Sequence, residues 1–268
     1  MSDINLTASV RTNLINLQQT ADMMNKTTER LATGLKVNSA LDNPQSYFAA
    51  KDLTNRASDL NLRVDGMGQG VSTLKAADNG IKALSGLVDQ MNGLITSARS
   101  ADTATRATLA TSFDNIRTQM DQLIKDTGYK GTNLLNGDTL KVDFNEDASS
   151  NLSVTGVTYD SAGLGLTAAA GSWATTANID AAQATVDAAK KTLRAQSAVF
   201  GTNLNVVQAR QTFTTDMINT LKEGAGKLVN ADTNEEGANL LALQTRQSLG
   251  TTALSLANQS QQAIMRLF

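Results

Sequence analysis

The chain has 268 residues, of which 23 are basic and 25 acidic, so its formal net charge is −2. It contains no His and no Cys, which excludes disulfides, His-dependent catalytic triads and His- or Cys-bearing metal sites. Dispersed charge and only 4% aromatic residues argue against a nucleic-acid-binding surface. We therefore expect no catalytic, cofactor-binding or metal-binding residues, and a protein that is not an enzyme.

Membrane insertion is not expected either. No segment approaches the roughly 18 consecutive apolar residues of a membrane helix. Residues 1–7 have neither the basic nor the apolar region of a Sec signal peptide. If the protein is exported, we expect a route that does not read such a signal.

The first part of the chain is predicted to be helical. Apolar residues recur at alternating spacings of four and three from Val10 to Leu35, which is the pattern of a coiled-coil helix. Asn43 and Pro44 then suit an N-cap and a first helical position, so a second helix is predicted from Pro44 to Ala98. At about 1.5 Å per residue that helix would be about 80 Å long. A compact globule of this chain length would be shorter than that, so the sequence predicts an elongated rod.

The middle of the chain changes period. A third helix is predicted over Thr103–Thr127, with Gly128 as its C-cap. Between residues 139 and 160 apolar residues alternate with polar ones, and a phase shift at Gly156 predicts a bulged β-hairpin that turns at residues 146–151. The helical period resumes at Val186 after a connector that carries Trp173.

The last helix is predicted to have two apolar seams. One seam comprises Leu240, Leu243, Gly250, Leu254, Ala257, Ile264 and Phe268. The other comprises Leu249, Ala253, Leu256, Ala263 and Leu267. A helix that is apolar on two sides must be buried against more than one neighbour. We expect other copies of the same chain to cover the second seam.

These elements define the predicted fold class. It is mainly α, an elongated rod of long coiled-coil-like helices formed by the N- and C-terminal halves, with one small β-hairpin insertion.

Two segments imitate ligand-binding loops. Residues 66–70 contain three glycines but follow no strand and lie within a helical pattern, so a packed helix is favoured over a phosphate-binding loop. Residues 232–237 begin like a calcium loop, but Leu243 stands where a bidentate Glu belongs, so a helix cap is favoured.

Four segments resemble the motifs of bacterial flagellins. Residues 29–40 read ERLATGLKVNSA and are similar to the family's E-R-L-S-S-G-[LK]-[RK]-[IV]-N-S-A. Residues 247–259 resemble Q-x-x-G-x-x-x-L-x-x-A-N-Q. Between them, residues 70–72 resemble G-[IV]-S and residues 129–135 resemble [FY]-N-G-x-x-L-L. The four matches occur in the family's order.

The resemblance implies a domain organisation in which the terminal helices pair into an inner tube. It assigns residues 1–43 and 231–268 to the inner (D0-like) domain, 44–135 and 179–230 to the rod (D1-like) domain, and 136–178 to the hairpin and connector.

The resemblance also implies a function. The protein would be a structural subunit that polymerises with itself into the extracellular flagellar filament for swimming motility. Its further partners would be the type III flagellar export apparatus, an export chaperone, and the hook-associated and cap proteins, with no cleaved signal peptide. The expected assembly interface comprises Leu14, Leu17, Leu31, Leu35, Leu249, Leu254, Leu256, Ile264, Leu267 and Phe268.

The sequence leaves two alternatives to the filament subunit and excludes a third. A hook–filament junction protein shares the terminal helices but usually has a larger middle. A surface carbohydrate-binding homologue is compatible with the composition. A zinc protease inserted in such a scaffold needs H-E-x-x-H, and the absence of His excludes it.

Overall fold

A computed structural model describes residues 8–265. In chain order its elements are α1 (Ala8–Thr33), α2 (Pro44–Ser100), α3 (Thr103–Asp126), β1 (Leu140–Asp143), β2 (Asn151–Val154), a short 3₁₀ helix (Ala170–Trp173), α4 (Thr176–Val229) and α5 (Thr233–Met265). The two strands form an antiparallel hairpin. The prediction of a mainly α fold with long helices and one small hairpin is confirmed.

The described chain forms two compact units. The first contains the residues up to Asn55 and those from Thr220 onward, and the second contains Arg56–Asn219. Helices α2 and α4 therefore each contribute to both units. The boundaries predicted at residues 43/44 and 230/231 stay a prediction.

Asn43 caps α2 as expected, since its Oδ1 accepts a hydrogen bond from Ser46 N at 3.1 Å.

The core of the second unit follows the predicted heptads of α2, α3 and α4. The fully buried residues recur along one face of each helix: Met67, Leu74, Leu84, Val88, Met91 and Ile95 on α2, Phe113 and Met120 on α3, and Val186, Leu193, Phe200 and Val207 on α4.

The hairpin ends sooner than its sequence pattern predicts. Leu140 pairs with Val154 and Asp143 with Asn151, but beyond Val154 the chain leaves β1. Val157 N donates to Leu134 O at 2.7 Å instead. The predicted bulge is therefore wrong, because the phase shift at Gly156 marks a change of hydrogen-bonding partner.

Helix α3 ends through side chains and not through a glycine. Gly128 is outside the left-handed region that a C-capping glycine normally adopts. Instead the Ile124 carbonyl accepts from Thr127 Oγ1 at 2.7 Å and from Asn133 Nδ2 at 2.6 Å. The Gly128 cap was a wrong prediction, because these two side chains satisfy the terminal carbonyl.

The connector is fastened to α3. Trp173 is fully buried and lies edge-to-face against Phe113, with ring centroids 5.2 Å apart. Two carboxylates one heptad apart on α3 also hold it: Asp121 accepts from Ser161 N at 2.6 Å and Asp114 from Ala169 N at 3.1 Å.

Candidate assembly surface

Helices α1 and α5 form an antiparallel pair in the first unit. Arg30 near the end of α1 lies beside Glu236 near the start of α5, with Arg30 Nη1 and Glu236 Oε1 2.8 Å apart. Leu17, toward the start of α1, lies beside Gly250 of α5. Each half of the chain thus supplies one helix of the pair.

The segment that follows α1 joins the two halves of the chain through its backbone. Gly34 has a φ of +71° and ends α1 in the left-handed conformation. Its carbonyl accepts from Ala231 N at 2.9 Å, and Lys36 N donates to Val229 O at 2.7 Å. These contacts give the ERLATGLKVNSA motif a structural role, which is to bind the N-terminal half to the turn between α4 and α5.

The end of this motif is held by a carboxylate, which accepts hydrogen bonds from its backbone. Asp42 Oδ2 accepts from Ser39 N at 3.0 Å and from Asn38 N at 3.1 Å. These backbone hydrogen bonds, with that of Ser39 the larger, hold the pKa of Asp42 below its ordinary value. The loop between α1 and α2 is therefore ordered by an ionised aspartate.

One face of α5 is turned toward α1. Leu243 is buried and Leu254 is half-buried. A Cβ atom built on Gly250 would stand 2.7 Å from Leu17 Cδ2, so the glycine lets the two helices approach closely. This face corresponds to the first predicted seam.

The opposite face of α5 presents leucines to solvent. Leu241, Leu249 and Leu256 are 69%, 66% and 69% exposed, and Ala253 is exposed beside them. We call these four residues the outward face of α5. There is no charged residue between Arg246 and Arg266, so much of a surface helix lacks the charges that normally cover its solvent side.

The ten residues predicted as the interface do not share one environment. Leu17, Leu31, Leu35 and Leu254 are half-buried within the chain, whereas Leu14, Leu249 and Leu256 are exposed. Ile264 lies in α5, but its side chain is outside the described set, and Leu267 and Phe268 lie outside the described residues. The exposed members are the ones free to contact a neighbour.

The other end of the α1–α5 pair is charged. Lys26, Arg30, Glu236 and Arg246 line a cavity of about 330 Å³ between the helices. Arg30 is paired with Glu236, while Lys26 and Arg246 make no ion pair with any residue that the structure describes. The charge-free part of α5 begins just beyond Arg246.

A second exposed seam lies on α4 and was missed by the sequence reasoning. It repeats at alternating spacings of four and three, all its members are exposed, and none is charged: Ala188, Thr192, Ala195, Val199, Thr202, Val206, Ala209 and Phe213. We call this set the outer seam of α4. Between Arg194 and Arg210 the sequence carries no charge at all, a signal that could have found it.

Neither loop that imitates a ligand site has the geometry for one. Residues 66–70 are α-helical, and a Cβ built on Gly70 would stand 2.7 Å from Val142 Cγ2, so this glycine makes room for the hairpin. Asp232 caps α5, with Oδ1 accepting from Asn234 N at 2.9 Å. Among the described residues, no group of three His, Cys, Asp or Glu could hold a metal ion.

Among the helices that the structure describes, none combines the length and the hydropathy that a membrane-spanning helix needs.

Comparison with protein-family models identifies both ends of the chain. Residues 4–139 match the model of the bacterial flagellin N-terminal helical region, and residues 183–268 match that of the bacterial flagellin C-terminal helical region. The two matches cover more than half of the chain.

Curated relatives match over the full length. The chain is 33% identical to flagellin FljO and to flagellin FljM of Caulobacter vibrioides, and 29% identical to a flagellin of Brucella melitensis. Each alignment covers 100% of this chain and 99% of the relative. Among solved structures, Bacillus cereus flagellin aligns with a TM-score of 0.49 at 17% identity, covering 55% of this chain and 86% of that one.

Proposed function

This chain belongs to the bacterial flagellin family and is a structural subunit of the self-assembling flagellar filament, and we propose that it polymerises through the outward face of α5 and the outer seam of α4. The observation that carries this proposal is the outward face: three leucines about two-thirds exposed on a helix that has no charge beyond Arg246. Such a surface is unfavourable in water and is stabilised when a neighbour covers it.

The energetics favour burial in a polymer. Fully burying a leucine side chain contributes about 1.5–3 kcal/mol relative to leaving it exposed. Because Leu241, Leu249 and Leu256 are still about two-thirds exposed, covering each of them contributes the larger part of that value in every subunit. Because α1 already covers the opposite face of α5, the outward face remains available for another copy.

Two different surfaces suit a fibre better than a closed dimer. The outward face of α5 is leucine-rich, whereas the outer seam of α4 consists mainly of Ala, Thr and Val. A contact between unlike surfaces leaves one of each unoccupied at every step, and a heterologous contact that does not close on itself generates an open helical filament.

The proposal includes the finer assignments that the resemblance implied. The predicted interface residues Leu14, Leu17, Leu31, Leu35, Leu254, Ile264, Leu267 and Phe268 are retained in it, those half-buried against the chain acting by holding α1 and α5 together. We further propose that the chain has no catalytic activity and is exported without a cleaved signal peptide by the flagellar export apparatus, with its chaperone. On the assembled flagellum it would meet the hook-associated and cap proteins.

The test replaces Leu256 by a charged and by a conservative residue. Leu256→Asp places a carboxylate in each repeat of a desolvated contact, which costs several kcal/mol per subunit, of order 2–7 for an unpaired buried polar group. The matched control, Leu256→Met, keeps an apolar side chain of similar volume. Polymerisation of purified protein would be followed by electron microscopy, and folding by circular dichroism.

We expect Leu256→Asp to remain a soluble, helical monomer that forms no filaments, while Leu256→Met polymerises. Filaments of normal length from Leu256→Asp would show that the outward face is not a polymerisation surface. Loss of the helical signal in Leu256→Asp would also contradict the proposal, because an exposed side chain should not be needed for folding.

A further inference from the structure

We propose that Asn136 is a site of spontaneous chemical modification, at which the side-chain amide is lost and an aspartate or isoaspartate residue forms. The sequence contains three Asn-Gly pairs, at 79–80, 92–93 and 136–137. Asn-Gly is the pair in which backbone attack on the asparagine side chain is least hindered, because glycine has no Cβ. The structure distinguishes the three pairs.

The first two pairs are protected by helix α2. Within an α-helix the glycine N–H donates to the carbonyl four residues earlier, so its nitrogen is not free to attack. Gly80 is also buried, and a Cβ there would stand 2.6 Å from Leu135 Cδ1. The Asn92 side chain is held as well, since its Oδ1 accepts from Gln183 Nε2 at 2.8 Å.

The third pair lies in a turn. Asn136 is exposed, and Gly137 has a φ of +92°. Within residues 8–265, the Asn136 carboxamide has no hydrogen-bond partner, and the backbone of Asn136 forms an isolated antiparallel β-bridge with Thr158. The Asn136 side-chain amide is therefore free to approach the Gly137 nitrogen, which does not belong to a helix.

Asn133, three residues earlier, is an asparagine whose side chain is held in place by hydrogen bonds. It is buried, its Nδ2 donates to Ile124 O, and its Oδ1 accepts from Thr127 Oγ1 at 3.0 Å and Leu135 N at 3.1 Å. The same short turn thus holds one asparagine side chain rigidly and leaves the other unattached.

The reaction needs only water. Gly137 N loses its proton and bonds to Asn136 Cγ, and the side-chain nitrogen leaves as ammonia, which gives a cyclic imide. Water then adds to one of the two imide carbonyls and opens the ring. One opening yields aspartate and the other yields isoaspartate, in which the main chain runs through the former side chain.

Isoaspartate at position 136 would disturb the backbone pairing around this turn. The carbonyls of Leu134 and Leu135 accept from Val157 N at 2.7 Å and Tyr159 N at 3.0 Å, so the residues just before Asn136 anchor the chain that follows the hairpin. Isoaspartate adds one atom to the main chain within this turn, and either product adds a negative charge two residues from Asp138.

The experiment incubates the full-length native protein in mildly alkaline buffer made with heavy-oxygen water. Peptide mass spectrometry would then measure oxygen incorporation at each Asn-Gly pair. A parallel sample in strong denaturant removes the effect of structure. The variant Asn136→Gln, whose longer side chain closes a less favourable ring, serves as the chemical control.

In the native protein we expect incorporation at Asn136 to be more than about tenfold faster than at Asn79 or Asn92, because the helical amides react only after local opening. In denaturant the three pairs should react at similar rates, and Asn136→Gln should abolish the native signal. Comparable native rates at all three pairs, or a native Asn136 as slow as Asn79, would overturn the assignment.

Discussion

Leu17 of α1 occupies the space that a side chain on Gly250 of α5 would need. The Cβ atom built on Gly250 would stand 2.7 Å from Leu17 Cδ2 and 3.2 Å from its Cγ. These are contacts that real Cβ atoms do not make without a shift of the neighbour. A larger residue at position 250 would therefore require the Leu17 side chain to move.

The first prediction concerns this pair. Gly250→Val should destabilise the α1–α5 pair by about 1–3 kcal/mol, because its branched side chain overpacks the contact with Leu17. The double variant Gly250→Val/Leu17→Ala removes the obstructing atoms and should regain part of the loss. Circular dichroism during urea unfolding of the wild type, both single variants and the double variant would give the coupling energy. Additive effects would show that the two residues do not meet.

Two glycines of the 66–70 segment provide the second prediction. A Cβ on Gly70 would lie 2.7 Å from Cγ2 of the buried Val142, whereas a Cβ on Gly66 would meet nothing within 4 Å. Gly70→Ala should therefore displace the hairpin at a cost of about 1–3 kcal/mol, since a β-branched valine has little freedom to turn away. Gly66→Ala should stabilise α2 by up to about 1 kcal/mol through helix propensity.

Thermal unfolding of the two variants would show opposite shifts in Tm. Equal shifts would mean that the two glycines differ only as helix residues and that hairpin packing is not involved. The comparison also tests the structural interpretation of this motif, because a phosphate-binding loop would need both glycines.

Much of the helical architecture is predictable from periodicity. A long helix that buries one face must repeat its apolar residues every three or four positions, and Leu193, Phe200 and Val207 on α4 carry that signal strongly. The two seams of α5 are predictable for the same reason. Capping by Asn43 is predictable because asparagine is a preferred N-cap residue and proline is preferred at the first position of a helix.

Other features depend on information that a local pattern does not contain. The alternation from Val154 to Tyr159 indicates extended chain but not its partner, so the pairing with Leu134 and Leu135 was missed. The outer seam of α4 was missed because alanine and threonine are only weakly apolar, and a stronger seam runs along the same helix. The uncharged stretch between Arg194 and Arg210 indicates this part of α4, but only the structure shows which of its residues are exposed.

The third prediction concerns the turn of the hairpin, where Glu146 Oε1 lies 2.7 Å from Arg56 Nε. The arginine side chain is 58% exposed, so Glu146→Gln should cost at most about 1 kcal/mol. Polar substitutions elsewhere in residues 146–151 should likewise leave filaments intact when they are examined by electron microscopy. Failure of several such variants to polymerise would place the turn in a contact between subunits.

This turn also has a predictable response to acid. The pKa of Glu146 is lowered from its ordinary value of 4.5, first by a hydrogen bond from its own backbone N–H and then by Arg56. A carboxyl whose pKa is lowered on folding stabilises the fold above its unfolded pKa, and this contribution is lost as the pH falls through the lowered value. Between neutral pH and acid below 4.5, the wild type should therefore lose more stability than Glu146→Gln.

The fourth prediction tests the outer seam of α4 with a matched pair of charges. Val206 lies in the middle of the seam, whereas Gln208 is exposed on the other side of the same helix. Each substitution by Glu adds one negative charge to the helix, so net charge and solubility change equally. Since neither side chain is buried, both variants should unfold within about 0.5 kcal/mol of the wild type.

Their assembly should differ. Val206→Glu places a carboxylate where two subunits meet and should raise the protein concentration needed for polymerisation at least about tenfold. That factor corresponds to about 1.4 kcal/mol per contact, which is below the cost of order 2–7 kcal/mol of burying an unpaired polar group and is therefore a lower limit. Gln208→Glu should polymerise at the wild-type concentration. Sedimentation of filaments across a concentration series would measure both values. If Val206→Glu polymerised like Gln208→Glu, the seam would face solvent in the filament, and the proposed contact between the outer seam of α4 and the outward face of α5 would be wrong.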